Sequence, residues 1–455
     1  MTRSSIFLLV TFTSYAILSK ILFDYIYSAA NLIVDEEFHL PLGEQYCKFH
    51  FNTWDPKVTT LPGLYLVSSA LLGPFGLCSI YWLRSISLLF SCINLLLFYV
   101  LFSRTVQNEW QKVSLAIMMN LLPPLYFMSH IYYTDIVSLT TVLIFIILNE
   151  RGQHYFASLA GFFSIICRQT NVIFVAIYGG KYVLKGLYDS WVQKTDPFKK
   201  AGDFPIKNVK PFLLDILGNP FKILQNTTIH FWLNSLCYLS LLVFFLVFLI
   251  VNGGIVVGDR NAHHISINIP QLFYFSLFCL IFGWPHFLGE VLNFVTFAKN
   301  HKVFILIFTF IAFVIVHFNT VVHPYLLADN RHLIFYVWSR FYGKYWWFRY
   351  AIIPVYVFSL YVLFKILWNP RDVSFFILFT VGVTLLLVSQ SLLELRYFLL
   401  PYIIIRVKTK NVDTAVFNMV LEFVTYSVMN MITFNIFFTK TLYWTDMDYP
   451  QRIIW

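Results

Sequence analysis

The sequence predicts an all-α polytopic membrane protein that forms one membrane-embedded domain over residues 1–455. Of its residues, 59% are hydrophobic and only 12% are charged, whereas about 25% of a soluble globular chain is charged. The mean hydropathy is +0.70, and apolar runs of about 20 residues recur along the chain, each long enough to cross a bilayer as a helix. We therefore expect about 12 to 14 transmembrane helices.

The basic residues indicate how the chain is oriented. The net charge is +10, but its lysines and arginines lie in short loops between apolar runs, which points to membrane topology rather than to a nucleic-acid partner. Arg3 precedes the first run, so we expect a cytosolic N-terminus. The lysine-rich segment 181–230 is then a cytosolic loop, and the glycosylation sequon at Asn226 within it is expected to be unmodified.

The segment 31–83 is predicted to be a lumenal acidic loop with interfacial helices. It begins with three consecutive carboxylates, and residues 61–83 contain glycines and prolines that interrupt helices. The alternative is that 61–83 spans the membrane, but this moves two basic connections to the lumen. The non-spanning version makes 154–168 and 170–187 two short helices around Arg168. The later apolar runs lie near 233–252, 271–295, 302–322, 346–366, 373–393, 397–405 and 412–438.

The six cysteines are scattered without a CxxC pair. Most lie inside apolar runs, so we interpret them as small buried hydrophobic residues rather than disulfides or metal ligands. Cys47 is the possible exception because it lies in a polar loop. Histidines show no HExxH or similarly tight spacing, so no metal site is expected.

Polar clusters interrupt the apolar pattern, and the preferred topology places all of them on the side opposite the lysine-rich loop. They lie at 34–41, 54–63, 132–135, 167–171, 258–264, 323–332 and 394–397. Ionisable residues at the edges of membrane helices are costly and indicate a functional site. Asp135, His263 and His264 are interpreted as ordinary solvated residues at helix ends, whereas the first, fourth and sixth clusters are interpreted as functional.

Transfer of a sugar from a lipid phosphate fits carboxylates, arginines and histidines on one membrane face. A carboxylate can act as general base for the acceptor hydroxyl, and cationic groups can hold the phosphate that leaves. Both substrates have lipid tails, so confinement to the membrane brings them together. A transporter or flippase is the main alternative, although no paired halves are visible, and an auxiliary subunit of another membrane protein is a third.

Six strings in the sequence resemble one family of enzymes. They are DEEFHLPLGEQYC, WDPKVTTLPGLYLVS, CRQTNV, GDRNAHH followed by PQLFYF, HPYLLADNRHLIFYVW and LELRYFLLPY. These strings are similar to the endoplasmic-reticulum alpha-1,2-glucosyltransferases that complete the lipid-linked oligosaccharide of N-glycosylation. The resemblance extends from about Asp35 to Pro401.

The resemblance implies a GT-C type fold and an active site facing the lumen of the endoplasmic reticulum. It implies inverting transfer of glucose from dolichyl-phosphate glucose to the diglucosylated dolichyl-diphosphate-linked oligosaccharide, with membrane lipids around the protein. No metal cofactor is expected, because arginine and histidine can hold the phosphate charge without one. The acidic motif corresponds to Asp35 and Glu36 as candidate bases, with Asp55 as the rival. Glu37 stands where the family pattern has an apolar residue.

Candidate substrate-binding residues follow from charge and sidedness. Arg168, Arg331 and Arg396 are candidates for the donor phosphate or the acceptor diphosphate. The other candidates are polar or aromatic neighbours that could assist or contact sugar: His39, Trp54, Gln169, His323, Asp329, Asn330, His332, Glu394 and Tyr397.

Overall fold

The computed structural model describes residues 3–195, 203–218, 227–258, 266–408, 416–445 and 447–455. Almost all secondary structure in these ranges is helical, which confirms the all-α prediction. The exception is a two-stranded antiparallel hairpin of β1 (Thr441–Leu442) and β2 (Gln451–Arg452).

The helices of the first half are α1 to α10. Their bounds are Arg3–Ala29, Glu36–Cys47, Gly63–Leu72, Ile80–Phe102, Glu109–Asn120, Pro123–Met128, Thr134–Glu150, His154–Cys167, Val172–Thr195 and Ile206–Gly218. Two short 3-10 helices occupy Gly73–Phe75 and Gln169–Asn171.

The helices of the second half are α11 to α21. Their bounds are Ile229–Asn252, Pro270–Leu288, Val291–Asn300, Lys302–Asn319, Pro324–Ala328, Leu333–Val337, Phe348–Ala351, Ile353–Leu367, Ser374–Val388, Arg396–Lys408 and Val416–Thr439. A single π-helical turn occupies Trp338–Tyr342.

Seven helices of the described residues are long and apolar enough to cross a membrane. Six of them lie in single helices: α1, α4, α11, α12, α14 and α21. The seventh, Phe348–Leu367, covers both α17 and α18. Shorter apolar helices lie at Gly63–Phe75, His154–Cys167 and Ser374–Val388. The chain is therefore a multi-pass membrane protein, whereas the count of 12 to 14 spans stays a prediction.

Two local predictions agree with the helix bounds. Helices α8 and α9 are separate, and the extended backbone of Arg168 lies between them. Within 61–83, α3 has ten residues and the following 3-10 helix has three. Because a helix rises about 1.5 Å per residue, α3 is about 15 Å long and is too short to cross a hydrocarbon core of about 30 Å.

The segment 181–230 contains more helix than expected. Helix α9 continues to Thr195 instead of ending near residue 187, and α10 covers Ile206–Gly218. The sequon at Asn226 and most of the 258–264 cluster, including His263 and His264, lie outside the described residues.

Local sequence explains several helix ends. The Asn108 side chain accepts a hydrogen bond from the Trp110 N–H at the start of α5, and Pro270 occupies the first turn of α12, where its missing N–H has no intrahelical partner. Helix α11 ends at Gly253 with φ of 70°, a left-handed conformation that glycine adopts without steric cost. The core runs between α4, α5, α7, α12, α20 and α21, and described residues of the polar clusters line one cavity beside these helices.

Candidate active site

A cavity of about 950 Å³ brings the polar clusters together. Residues from six of the seven clusters line it, and Gly258 of the remaining cluster packs against the backbone of Pro56. The lining side chains that carry charge or a ring are Asp35, Phe38, His39, Lys57, Arg168, Tyr325, Asp329, Arg331, Glu394, Arg396, Tyr397 and Trp444. A cavity of this size is typical of a ligand site.

Asp35 lies at the cavity surface, in the N-terminal capping position of α2. Its backbone N–H donates to the Tyr133 hydroxyl at 2.8 Å. Its Oδ2 atom accepts from Arg396 Nη2 at 3.3 Å, and no described residue donates a hydrogen bond to Oδ1. The side chain is 36% exposed, so Asp35 can accept a proton from a ligand in the cavity.

Glu36, the neighbouring candidate base, points away from the cavity into a buried ion pair. Arg84 donates from Nε to Oε1 at 2.9 Å and from Nη2 to Oε2 at 2.7 Å. The backbone N–H groups of Ile33 and Tyr132 also donate to this carboxylate. Both charged side chains are fully buried. This arrangement favours a structural role for Glu36.

The Glu36–Arg84 pair fixes the turn that carries Asp35. Arg84 also donates to the backbone carbonyls of Ala30 and Asn31, so it holds the chain on both sides of the turn. Val34 between them has φ of 50°, a left-handed conformation that a β-branched residue adopts only when its surroundings impose it. The buried ion pair supplies that constraint.

Asp55 and Trp54, the later candidates in the same loop, do not line the cavity. Asp55 Oδ1 accepts from the Lys57 N–H at 2.8 Å and closes a turn. Trp54 packs edge-on against Tyr46 and Tyr65, and its Nε1 is buried without a hydrogen-bond partner. The structure thus favours Asp35 over Asp55 as base and gives Trp54 a packing role.

Arg396 connects Asp35 to a second carboxylate, Glu394. Arg396 Nε donates to Glu394 Oε2 at 2.8 Å and Nη2 donates to Oε1 at 3.0 Å. Burial alone would raise the pKa of Glu394, but the guanidinium lowers that pKa to about 2. Glu394 therefore stays ionised and holds Arg396 beside Asp35.

Arg168 occupies another part of the cavity wall. It pairs with Asp135 through an Nη1–Oδ1 distance of 2.5 Å, and its guanidinium lies 5.8 Å from the Tyr397 ring centroid. Asp135 is only 6% exposed, so the interpretation of Asp135 as a solvated residue was wrong. Gln169 Nε2 donates to the carbonyls of Thr59 and Ile255 and joins two wall segments.

The segment 329–332 contributes a third arginine to the cavity wall. Arg331 Nε and Nη2 donate to the two carboxylate oxygens of Asp329 at 2.9 and 2.8 Å. Burial alone would raise the pKa of Asp329, but the hydrogen bonds from Arg331 and the charge of His332 lower that pKa. His332 also lies near this cavity wall, with its Nδ1 3.0 Å from the Trp455 carbonyl oxygen.

The side chains of His323 and Asn330 stabilise this wall through hydrogen bonds within the protein. The His323 Nδ1 atom accepts from the Tyr325 N–H at 3.2 Å and caps α15. The Asn330 Oδ1 atom accepts from Trp444 Nε1 at 3.0 Å. Neither residue lines the cavity, so both are second-rank candidates for substrate contact.

His39 lines the cavity one helical turn after Asp35. Its Nδ1 lies 2.5 Å from the Tyr65 hydroxyl. Burial lowers the pKa of His39 to about 4, which keeps the ring neutral at pH 7. His39 can therefore exchange hydrogen bonds with a substrate but does not add positive charge.

A disulfide joins Cys47, at the end of α2, to Cys78, just before α4. Cys47 is thus the exception that its polar loop suggested, whereas the interpretation of Cys78 as an unpaired residue was wrong, because the turn at Gly76 with φ of 65° brings Cys78 back to α2. The other four are free, and Cys167 and Cys279 among them are buried. The disulfide therefore fastens the C-terminal end of α2, the helix that begins beside Asp35, to the residues just before α4.

Three residues that contact the candidate site residues were not site candidates from the sequence, although one of them lies in the 132–135 polar cluster: Arg84, Tyr133 and Trp444. Arg84 lies inside an apolar run, where an isolated charge is energetically costly. A charged residue in that position was the one sequence feature that could have pointed to its role. No group of three potential metal ligands occurs among the described residues. Metal independence stays a prediction.

Comparison with known proteins shows the family of the chain. A sequence profile of the DIE2/ALG10 family matches residues 29–407. Three relatives carry the name Dol-P-Glc:Glc(2)Man(9)GlcNAc(2)-PP-Dol alpha-1,2-glucosyltransferase. That of Drosophila melanogaster is 40% identical, with 97% of each chain covered; that of Homo sapiens is 35% identical, with 93% of each covered; that of Arabidopsis thaliana is 28% identical, with 93% of this chain and 94% of the relative covered. No solved structure matches. On the family match and these identities, the chain belongs to the DIE2/ALG10 family.

Proposed function

We propose that this protein transfers glucose from dolichyl-phosphate glucose to the diglucosylated dolichyl-diphosphate-linked oligosaccharide, forming an alpha-1,2 linkage. Two observations support the proposal together. The relatives carry the name of this glucosyltransferase over nearly the full chain, and one cavity contains an accessible carboxylate among three arginines. The transporter and auxiliary-subunit alternatives gain no support from these relatives.

In the proposed reaction, Asp35 is the general base. The 2-hydroxyl oxygen of the terminal acceptor glucose attacks C1 of the donor glucose, and its proton moves to the Asp35 carboxylate. The bond from C1 to the phosphate oxygen breaks, and dolichyl phosphate leaves with the bonding electrons. Attack opposite the leaving group inverts C1, from a beta-linked donor to an alpha-linked product.

The arginines are proposed to hold the phosphate groups. Phosphate oxygens accept charge-assisted hydrogen bonds from guanidinium groups, and such donors stabilise charge that develops on a leaving group. Arg396 lies beside Asp35, so it suits the donor phosphate at the reacting bond. Arg168 and Arg331 lie on other walls of the same cavity and are candidates for the remaining phosphate contacts.

The compartment is proposed to be the endoplasmic reticulum, with the cavity facing the lumen. Disulfides persist in oxidising compartments and are rare in the cytosol. Cys47 is the last residue of α2, the helix that begins beside Asp35. The Cys47–Cys78 disulfide therefore favours a lumenal position for the loop that carries Asp35. A GT-C arrangement, with α2 and α3 at the membrane interface, is consistent with the short length of α3.

A transfer assay with purified protein in detergent tests the proposal. Dolichyl-phosphate glucose and the diglucosylated acceptor are supplied with and without a chelator, and the product is measured by mass. We expect one added glucose in both conditions. No transfer by a folded, monodisperse preparation would contradict the proposed donor and acceptor. Loss of transfer with the chelator would contradict metal independence alone.

A further inference from the structure

We infer that Trp444 is a substrate-contacting residue that forms part of the binding surface for the terminal glucose of the acceptor. This inference rests on the proposed function and extends it to how the acceptor is recognised. Trp444 belongs to the segment 440–455, which follows the last long helix and contained no candidate from the sequence. Its partly buried indole lines the cavity together with Asp329 and Arg331.

Two contacts orient the indole. The Arg331 guanidinium carbon lies 4.2 Å from the ring centroid, within the range of a cation–π interaction. The indole Nε1–H donates to Asn330 Oδ1 at 3.0 Å. Because Asp329 holds Arg331 through two hydrogen bonds, the ring is fixed to the cavity wall and is preorganised for a ligand.

The backbone of the segment is attached to the same wall. The Ile454 N–H donates to the Arg331 carbonyl at 2.7 Å, and the Leu333 N–H donates to the Ile454 carbonyl at 2.8 Å. Arg452 donates to the carbonyls of Phe437 and Ala29. These contacts attach residues 452 and 454 to the wall, and Trp444 is held there by its side-chain contacts with Arg331 and Asn330.

The chemistry around Trp444 suits a sugar ring. A pyranose presents an apolar C–H face and hydroxyls at its edge. An indole supplies a large apolar surface at low entropic cost, and the neighbouring Asp329 and Arg331 supply hydrogen-bonding groups. Trp54, the aromatic candidate from sequence, packs against other aromatic residues outside the cavity.

The position of the segment favours the acceptor over the donor. Tyr443 is 81% exposed, and Asp448 is also exposed. An unpaired carboxylate avoids the hydrocarbon core, so this rim of the cavity faces water. The acceptor oligosaccharide occupies water, whereas the single glucose of the donor is tied to its lipid at the membrane.

Equilibrium binding of the acceptor, measured without donor, tests the inference. The protein is titrated with the diglucosylated lipid-linked oligosaccharide and, separately, with the same acceptor lacking its two glucoses. We expect Trp444→Ala to weaken binding of the diglucosylated acceptor about five- to tenfold, the loss of one aromatic contact. Binding of the shorter acceptor should change less than about twofold.

Two matched variants control for structural effects. Trp444→Phe keeps an aromatic face and should restore most of the affinity. Tyr443→Ala removes an exposed neighbour and should leave both affinities unchanged. The inference would be overturned if Trp444→Ala lost the same affinity for both acceptors or lost affinity for neither. It would also be overturned if Trp444→Phe lost as much affinity for the diglucosylated acceptor as Trp444→Ala. Because no turnover is needed, these results are separate from failure of the transfer assay, which would contradict the proposed function.

Discussion

Replacing Glu36 with glutamine removes the negative charge that faces the buried guanidinium of Arg84. Glu36 accepts hydrogen bonds from two Arg84 nitrogens and from the N–H groups of Ile33 and Tyr132, and both charged side chains are fully buried. Breaking a buried ion pair on one side costs about 3–5 kcal/mol because the remaining charge has no partner. This corresponds to a shift of roughly 100-fold to several thousand-fold in the unfolding equilibrium.

The assay is unfolding in mixed detergent micelles, followed by tryptophan fluorescence. Glu44→Gln is the matched control on the same helix, since Glu44 pairs with Lys48 at the surface with side chains 45% and 49% exposed. Such a pair contributes at most about 1 kcal/mol. We expect Glu36→Gln to be the far less stable variant.

A double variant tests the cause of this loss. Glu36→Gln combined with Arg84→Gln removes both charges, so its stability loss should be smaller than the sum of the two single losses. A Glu36→Gln protein that is as stable as Glu44→Gln but inactive would refute the structural role and return Glu36 to the list of candidate bases.

Three further outcomes are expected. Reducing the Cys47–Cys78 disulfide, which closes a loop over 31 positions, should lower the free energy of unfolding by about 3–4 kcal/mol. In detergent unfolding titrations, either single Cys→Ser variant should lose as much stability as the double variant. A larger loss of stability in the double variant would contradict this. Burial lowers the pKa of His39 from 6.5 to about 4, so the unfolded chain takes up a proton first and stability should fall as pH falls between these values. Unfolding titrations of His39→Gln should show a smaller fall, and equal slopes would argue against a neutral buried His39. Arg331→Ala should abolish glucose transfer in a folded protein. Arg331→Lys should also be inactive, because lysine lacks the planar guanidinium that binds Asp329 and phosphate through two hydrogen bonds. Full transfer activity in either variant would exclude Arg331 from the site.

Much of the fold could be predicted from the pattern of apolar runs. Runs of about 20 residues identify membrane helices, and charge on the connecting loops suggests their orientation. The same reasoning predicted that α8 and α9 are separate helices on either side of Arg168 and that residues 61–83 do not span the membrane. Grouping the polar clusters on one side anticipated that Asp35, Arg168 and Arg396 share a cavity.

Contacts between distant segments could not be predicted in this way. The choice between Asp35 and Glu36 depends on Arg84, which lies 48 positions further along the chain, and adjacency alone does not show which carboxylate points inward. The Cys47–Cys78 disulfide likewise depends on how α2 packs beside α4. Trp444 joins the site through its contacts with Asn330 and Arg331 and through the backbone pairing of residues 331–333 with residue 454, and local sequence provides no pattern for either.

The rate of glucose transfer by Asp35→Asn, at saturating donor and acceptor, tests the central claim most directly. Asparagine keeps the size of the side chain but cannot take the proton, and a general base typically contributes a factor of about 10²–10⁴. Asp55→Asn is the matched control from the same loop. We predict a loss of this size for Asp35→Asn and near-normal transfer for Asp55→Asn, and the reverse pattern would contradict Asp35 as the base.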